Sequence, residues 1–174
     1  MACDLVQGRE IDCRDAVGGV QEVYITEFVN VPQANITASS GVVTAMACNS
    51  GKQFFTFQME KENAQYDNNA ITSVENGTTH YESTLVFTMK KMSASQKNSV
   101  KVLAQNRLMI IVKDNIGTYW VLGREKGIDA TDIKMTSGKA FGDLTGTTIT
   151  FTGKEPDFDN QLTGSLITAL LSPA

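Results

Sequence analysis

The chain is 174 residues long, with 41% hydrophobic and 20% charged side chains and a formal net charge of −4. That composition belongs to a folded globular domain with enough chain for a real core, and it excludes a disordered segment. No apolar run reaches the roughly 18 residues of a membrane-spanning helix, and MACDLVQGRE lacks the basic start and apolar core of a secretory leader, so a cytoplasmic site of synthesis and no membrane partner are expected.

Residues 1–19 hold few large apolar side chains and close on Gly18-Gly19, which reads as an irregular arm. Val20 to Asn30 is strand-like, with Val23, Ile25 and Phe28 as its inward candidates. Residues 32–41 are rich in Asn, Ser and Pro and read as a loop. A small-residue strand follows over Gly41–Cys48, and Asn49-Ser50-Gly51-Lys52 has the chemistry of a hairpin turn leading into Gln53–Glu60. That next strand sets Phe55, Phe57 and Met59 on one face. Residues 61–79 are polar and read as a long loop, a length that in a compact domain marks disorder or a partner-binding role.

The block from His80 to Arg124 carries the strongest local signals. His80–Lys91 alternates, with Tyr81, Leu85, Phe87 and Met89 on one face and Glu82, Thr84, Thr88 and Lys90 on the other. Ser93 and Gln96 form a capping-box pattern, and Val100, Leu103 and Ala104 recur at helical spacing, so a helix is expected over 93–105 with Asn106 at its end. RLMIIVK (107–113) and TYWVLGR (118–124) flank the turn Asp114-Asn115-Ile116-Gly117. Trp120 is expected to pack in the core.

Beyond Arg124, residues 125–144 are weakly patterned, with one short strand expected near Ile133–Met135. Gly146–Gly153 is a clear strand with Ile149 and Phe151 inward, ended by Glu155-Pro156. The tail 157–174 carries Asp157, Asp159 and an apolar run over 166–171, which either closes the sheet or docks on a neighbour. Seven or eight strands and one helix describe a mainly β fold: a single domain over 1–174, an antiparallel β-sandwich or barrel with one flanking α-helix at about residues 93–105.

Chemistry is not visible in this pattern. Cys3, Cys13 and Cys48 are an odd number without metal-like spacing and read as free thiols, with a weakly supported Cys3–Cys13 bridge as the alternative. His80 is the sole histidine, and there is no phosphate-binding glycine loop and no nucleophile-elbow pattern. The expectation is therefore no catalytic residue, no cofactor and no metal. The triplets Asn35-Ile36-Thr37 and Asn76-Gly77-Thr78 match a glycosylation acceptor by chance in a chain without a leader.

Charge is unevenly placed. Residues 1–89 carry 4 bases and 11 acids, residues 90–113 carry 6 bases (Lys90, Lys91, Lys97, Lys101, Arg107, Lys113) and no acid, and residues 114–174 carry 5 bases and 8 acids. A solvated face accounts for the basic run most simply. Its functional reading is a patch that meets an acidic patch on a neighbouring copy, since complementary charge fixes register.

Several segments carry a resemblance: Gly8-Arg9-Glu10-Ile11-Asp12-Cys13-Arg14-Asp15-Ala16-Val17-Gly18-Gly19 with Val23-Tyr24-Ile25, then Ala104-Gln105-Asn106-Arg107-Leu108 with Tyr119-Trp120-Val121-Leu122-Gly123, and Thr150-Phe151-Thr152-Gly153-Lys154-Glu155-Pro156. On these the chain resembles the tail tube (major tail) proteins of tailed bacteriophages over most of residues 8–156. The resemblance implies a structural, non-enzymatic virion protein of the viral tail, assembled in the bacterial host cytoplasm. Six copies form a ring whose inner sheets join round a lumen, and stacked rings, joined by other tail proteins, make the conduit for DNA ejection. DNA passes without specific binding. The arm (1–19), the loop (61–79) and the tail (157–174) then become assembly elements. The candidate inter-subunit contacts are Lys61, Glu62, Tyr66, Asp67, Glu75, Lys90, Lys91, Lys97 and Lys101, and the candidate lumen-facing acids are Glu60, Glu62 and Glu82. The competing readings are another virion part (head decoration, tail completion or connector) and a small ligand-binding module.

Overall fold

The computed structural model describes residues 8, 17–91 and 93–173. Most of the expected N-terminal arm, with Cys3, Cys13 and the Gly8–Ala16 part of the resemblance apart from Gly8 itself, lies outside the described residues.

The fold is mainly β, as expected, with eleven strands and two short α-helices among the described residues. In chain order these are β1 (Val20–Glu27), β2 (Ile36–Ser39), β3 (Val42–Met46), β4 (Phe55–Gln58), β5 (Ala64–Ser73), β6 (Thr78–Lys90), α1 (Ala94–Gln105), β7 (Leu108–Asp114), β8 (Tyr119–Leu122), β9 (Asp129–Thr136), β10 (Gly146–Glu155), β11 (Asn160–Leu162) and α2 (Ile167–Leu170). They form a seven-stranded sheet in the order β2-β3-β11-β8-β7-β1-β4 and a four-stranded sheet in the order β5-β6-β10-β9. Every pairing is antiparallel except β3 with β11.

The seven-stranded sheet is buried on both faces at its centre, because β7 and β1 are apolar at successive positions rather than alternate ones. Leu108, Ile110 and Val112 of β7, with Val23 and Ile25 of β1, face the four-stranded sheet and meet Leu85, Phe87, Ile149 and Phe151 there. Phe87 packs on Phe151 and Phe57 at centroid separations of 5.6 and 6.2 Å. The intervening residues Met109, Ile111 and Tyr24 point the other way into a second core with Val43, Met46, Phe54, Leu162, Ile167 and Leu170. Ile36 and Ala38 of β2 and Phe54, just before β4, pack in or against this one cluster, and the Phe54 N–H donates to the Leu170 carbonyl of α2 at 2.9 Å. The apolar run of the tail is self-buried in this way, which settles its two expected fates in favour of closing the fold.

Helix α1 follows its sequence signals. The Ser93 hydroxyl accepts from the Gln96 N–H at 3.2 Å, and the Gln96 side chain accepts from the Ser93 N–H at 3.1 Å. Val100 and Leu103 enter the first core, whereas Ala104 stays exposed. At the far end the Asn106 side chain donates to the Val102 carbonyl at 2.9 Å. The β7–β8 turn is held by one carboxylate: Asp114 Oδ1 accepts from Ile116 N–H at 3.0 Å and from Thr118 N–H at 2.8 Å. Trp120 packs against the first core, and its indole N–H donates to Asp114 Oδ2 at 3.4 Å.

Five expectations need correction. Residues 61–79 are not a loop: β5 pairs with β6 over ten residues, from Ala64 with Phe87 to Ser73 with Thr78. Residues 129–136 form a full strand rather than a fragment, and 36–39 pair as β2 inside the supposed loop. Asn49-Ser50-Gly51-Lys52 is a turn, with the Lys52 N–H on the Asn49 carbonyl at 3.0 Å and Gly51 at φ 75°, but it makes no hairpin. It carries the chain from β3 to β4, which lie towards opposite ends of the same sheet. Finally, Phe55 shares a face with Phe57 yet is 60% exposed, and the buried phenylalanine is its neighbour Phe54.

Candidate functional site

The four-stranded sheet is the surface on which the sequence-predicted residues can be judged. Its inner face is the first core. Its outer face alternates out of phase with Leu85, Phe87, Ile149 and Phe151 and carries Thr84, Thr88, Thr148, Thr150 and Thr152. Thr88 and Thr148, directly opposite in register, share a hydrogen bond of 3.0 Å, and Thr131 and Thr152 share one of 3.1 Å. Charges on this face leave a small acidic excess: Asp67, Glu82, Asp129 and Asp132 against Lys90, Lys134 and Lys154. Glu82 stands opposite Lys154 in register, the arrangement in which cross-strand charges stabilise a sheet.

Of the predicted lumen-facing acids, Glu82 lies on this outer face. Glu60 does not: it sits in the β4–β5 turn and forms an exposed ion pair with Lys90 within the same chain. Glu60 and Lys90 were expected on different surfaces and instead satisfy one another. Lys61 and Glu62 share that turn, with Glu62 at φ 62°, and Lys91, at φ 64°, opens the β6–α1 connection beside it. These five residues therefore gather at one end of the sheet. Glu75 lies at the opposite end, in the turn from Ser73 to Thr78. Lys97 and Lys101 are exposed one helical turn apart on α1, and Asp67 is exposed on β5, where its carboxylate accepts from the Gln65 side chain at 2.8 Å.

The basic run 90–113 is not one patch. Lys113 leaves it for β1, lying 3.4 Å from the Glu22 carboxylate and over the Tyr119 ring at 5.9 Å. That neighbour, together with a hydrogen bond of 2.6 Å from Tyr24, matters to Glu22: the Tyr24 hydroxyl first, and then Lys113, hold its carboxyl below the usual range despite burial.

Tyr66 also departs from its predicted role. It turns inward, and its hydroxyl donates to Asp159 Oδ2 at 2.7 Å. The same oxygen accepts from Asn68 Nδ2 at 2.7 Å and Ser83 Oγ at 2.6 Å. Burial pushes the Asp159 carboxyl up, an effect that the three donors only partly offset. Burial and then the Asp159 charge likewise push the Tyr66 hydroxyl up. Nearby, buried Glu155 accepts from the Glu125 and Lys126 N–H groups at 3.1 and 2.9 Å, and burial again raises its carboxyl. Sequence reasoning missed this polar node, which fastens the C-terminal segment to β5 and β6. The one available signal is Tyr66 and Asn68, two apart on a segment whose polarity reads as a loop.

Among the described residues no cluster of His, Cys, Asp or Glu is arranged to hold a metal ion. His80 lies half-buried on β6 opposite Ile71. A groove of about 720 Å³ opens between β4 and α1, floored by Ile25, Phe57, Leu103 and Leu108 with Phe55 and Val102 at its rim. A second groove of about 470 Å³ continues it past Met59 towards Lys90 and Gln96, sharing Phe57 and Ser99. No described helix is long and apolar enough to cross a membrane.

No protein-family model, curated protein or solved structure matches the chain.

Proposed function

We propose that the chain is a structural subunit of a ring-stacked phage tail tube, the conduit for DNA ejection. The observation that carries this reading is the pair of open edges on the four-stranded sheet. Its outer strands β5 and β9 run ten and eight residues, and among the described residues neither has a second partner strand beyond β6 and β10. Long unprotected edges invite pairing with another chain, and monomeric proteins usually blunt them.

The topology also says how such edges would join. Strand directions alternate across β5-β6-β10-β9, so β5 and β9 run oppositely. A rotation about an axis along the strands preserves direction. Laying β9 of one copy beside β5 of the next therefore continues an all-antiparallel sheet without a fault. Such a contact is heterologous, and heterologous contacts that close by rotation make rings. Six copies, the number the resemblance implies, close a barrel on the order of 45 Å across between backbones at the usual strand spacing and tilt. That is wide enough for an open lumen.

The outer face suits a passage. Its slight acidic excess and threonine surface would not hold the phosphates that a basic lining would retain. The sequence resemblance supports the same reading. The test is negative-stain microscopy of the purified protein with sedimentation alongside. Rings or tubes are expected, and a chain that stays monomeric at high concentration across salt conditions overturns the proposal.

A further inference from the structure

The two open edges of the four-stranded sheet carry charges that can set how far one copy slides along the next. On β5 the one charged residue is Asp67, exposed on the outer face opposite Thr84. On β9 the one base is Lys134, exposed on the same face opposite Thr148. Among the described residues Lys134 has no ion-pair partner. Asp132, two residues before it, shares that face.

Side-chain alternation limits the choice of register. A slip of one residue would set core-side residues of one copy beside outer-face residues of the next, so only steps of two are open. One register sets Lys134 opposite Asp67 of the neighbour, the cross-strand pairing of opposite charges that stabilises a sheet. Two residues one way, Asp132 stands opposite Asp67, and like charges meet at every joint. Two residues the other way, Lys134 faces the neutral Asn69.

The geometry of a closed barrel points to the same register. Lys134 lies opposite Thr148 and Thr148 opposite Thr88. The Thr88 N–H in turn donates to the Asn63 carbonyl at 3.1 Å. A line straight across the sheet from Lys134 therefore meets the β5 edge at Asn63, four residues before Asp67. With Lys134 opposite Asp67 of the next copy, the strands advance four residues for every four strands crossed. At a rise of about 3.4 Å and a spacing of about 4.8 Å this tilts them by about 35° from the ring axis. Closed barrels are typically tilted by about 35–45°. The like-charge register would give only about 20°, and the Asn69 register about 47°. On the core side the favoured register also brings Met135, 41% exposed at the β9 edge, opposite Tyr66 of the neighbour.

We propose that neighbouring copies join with Lys134 of one directly opposite Asp67 of the next, and that this ion pair fixes the register and hence the strand tilt of the ring. The proposal rests on the ring reading above, and the partner is a second copy of this chain.

Charge exchange tests it, at two exposed positions where thermal melts can confirm that each variant is folded. Lys134→Asp and Asp67→Lys, each alone, set like charges opposite one another at every joint and should weaken association by about tenfold or more in sedimentation. The chain carrying both substitutions restores the pair in reverse and should form rings again. An equimolar mixture of the two single variants should do so too, because alternating copies oppose unlike charges at every joint. Single variants that assemble as well as wild type overturn this register and leave the ring reading standing. So does a double variant no better than the singles. A wild-type chain that never assembles overturns the ring reading and this register with it.

Discussion

The two sheets of this protein solve opposite problems. The seven-stranded sheet is covered on both faces and ends in two four-residue strands, β2 and β4. The four-stranded sheet is covered on one face only and ends in strands of ten and eight residues. Short edges are one way that proteins avoid unwanted strand pairing, so the larger sheet is finished within the chain. The smaller sheet has a wet face with four acids against three bases, and two long open edges. One sheet supplies stability, and the other presents surface that the chain does not use itself. The locus of function is inferred from that asymmetry.

The largest effect that can break this comparison is in the shared core. Phe87 is fully buried where the smaller sheet meets the larger. Phe87→Ala should cost about 3–5 kcal/mol, read from urea denaturation as a single cooperative transition. A biphasic transition, with the larger sheet melting separately, would show that the sheets are two units.

Next comes the node at Asp159. Asp159→Ala strands the donors of Tyr66, Asn68 and Ser83 and should cost about 3 kcal/mol, whereas Asp159→Asn should cost less. The pH dependence sharpens the point. Burial raises Asp159 and Glu155 in the folded state, so they hold their protons more tightly there than in the unfolded chain. The stability they contribute is fully present below the unfolded carboxylate range of about 4 and is lost as pH rises through their folded values. Glu22 has the opposite sign: its lowered carboxyl contributes stability above its unfolded value, lost as pH falls through the folded one. Asp159→Asn should flatten the loss on the alkaline side of pH 4 and leave the acid limb intact. An unchanged profile would remove Asp159 from the account.

A smaller effect on stability but a large one on assembly is expected at the β5 edge. Asn69 and Ala70 are exposed neighbours there, and along an antiparallel edge strand successive N–H groups point alternately to the partner and away. Of Asn69→Pro and Ala70→Pro, one therefore spares the β6 ladder. That variant should keep its melting temperature within a few degrees and lose association. Normal association in both would relocate the contact. The smallest effect is at the exposed Lys90–Glu60 pair: Lys90→Gln should change stability by no more than about 0.5 kcal/mol, and a larger change would make that turn structurally important.

How much of this was legible depended on whether local pattern and tertiary demand agreed. The stretch β6-α1-β7-β8 was readable because Leu85 and Phe87 alternate, Ser93 and Gln96 cap a helix, and Asp114 closes a turn, all within a few residues. β5 was hidden because its inward positions include Asn68 beside Tyr66, polar side chains that donate to Asp159 some ninety residues away. β9 was legible only near Ile133–Met135, because a bulge breaks its pattern. Its register shifts between Asp132 and Ala130, so the core-facing residues Ala130 and Ile133 fall three apart and period 2 fails. The same limit applied to the candidate contacts. Glu60 and Lys90 are thirty residues apart, and only the fold reveals that each neutralises the other. That Lys134 and Asp67 stand on the two outer strands of one sheet left no pattern in the sequence, because edge position is a tertiary property.

The central claim is that copies join through the open edges of the four-stranded sheet. Amide hydrogen exchange on assembled and monomeric protein tests it most directly. Outward-pointing amides of β5 and β9 should slow markedly on assembly while those of β2 keep their monomer rates. Equal exchange of β5 and β9 in both states would contradict the account.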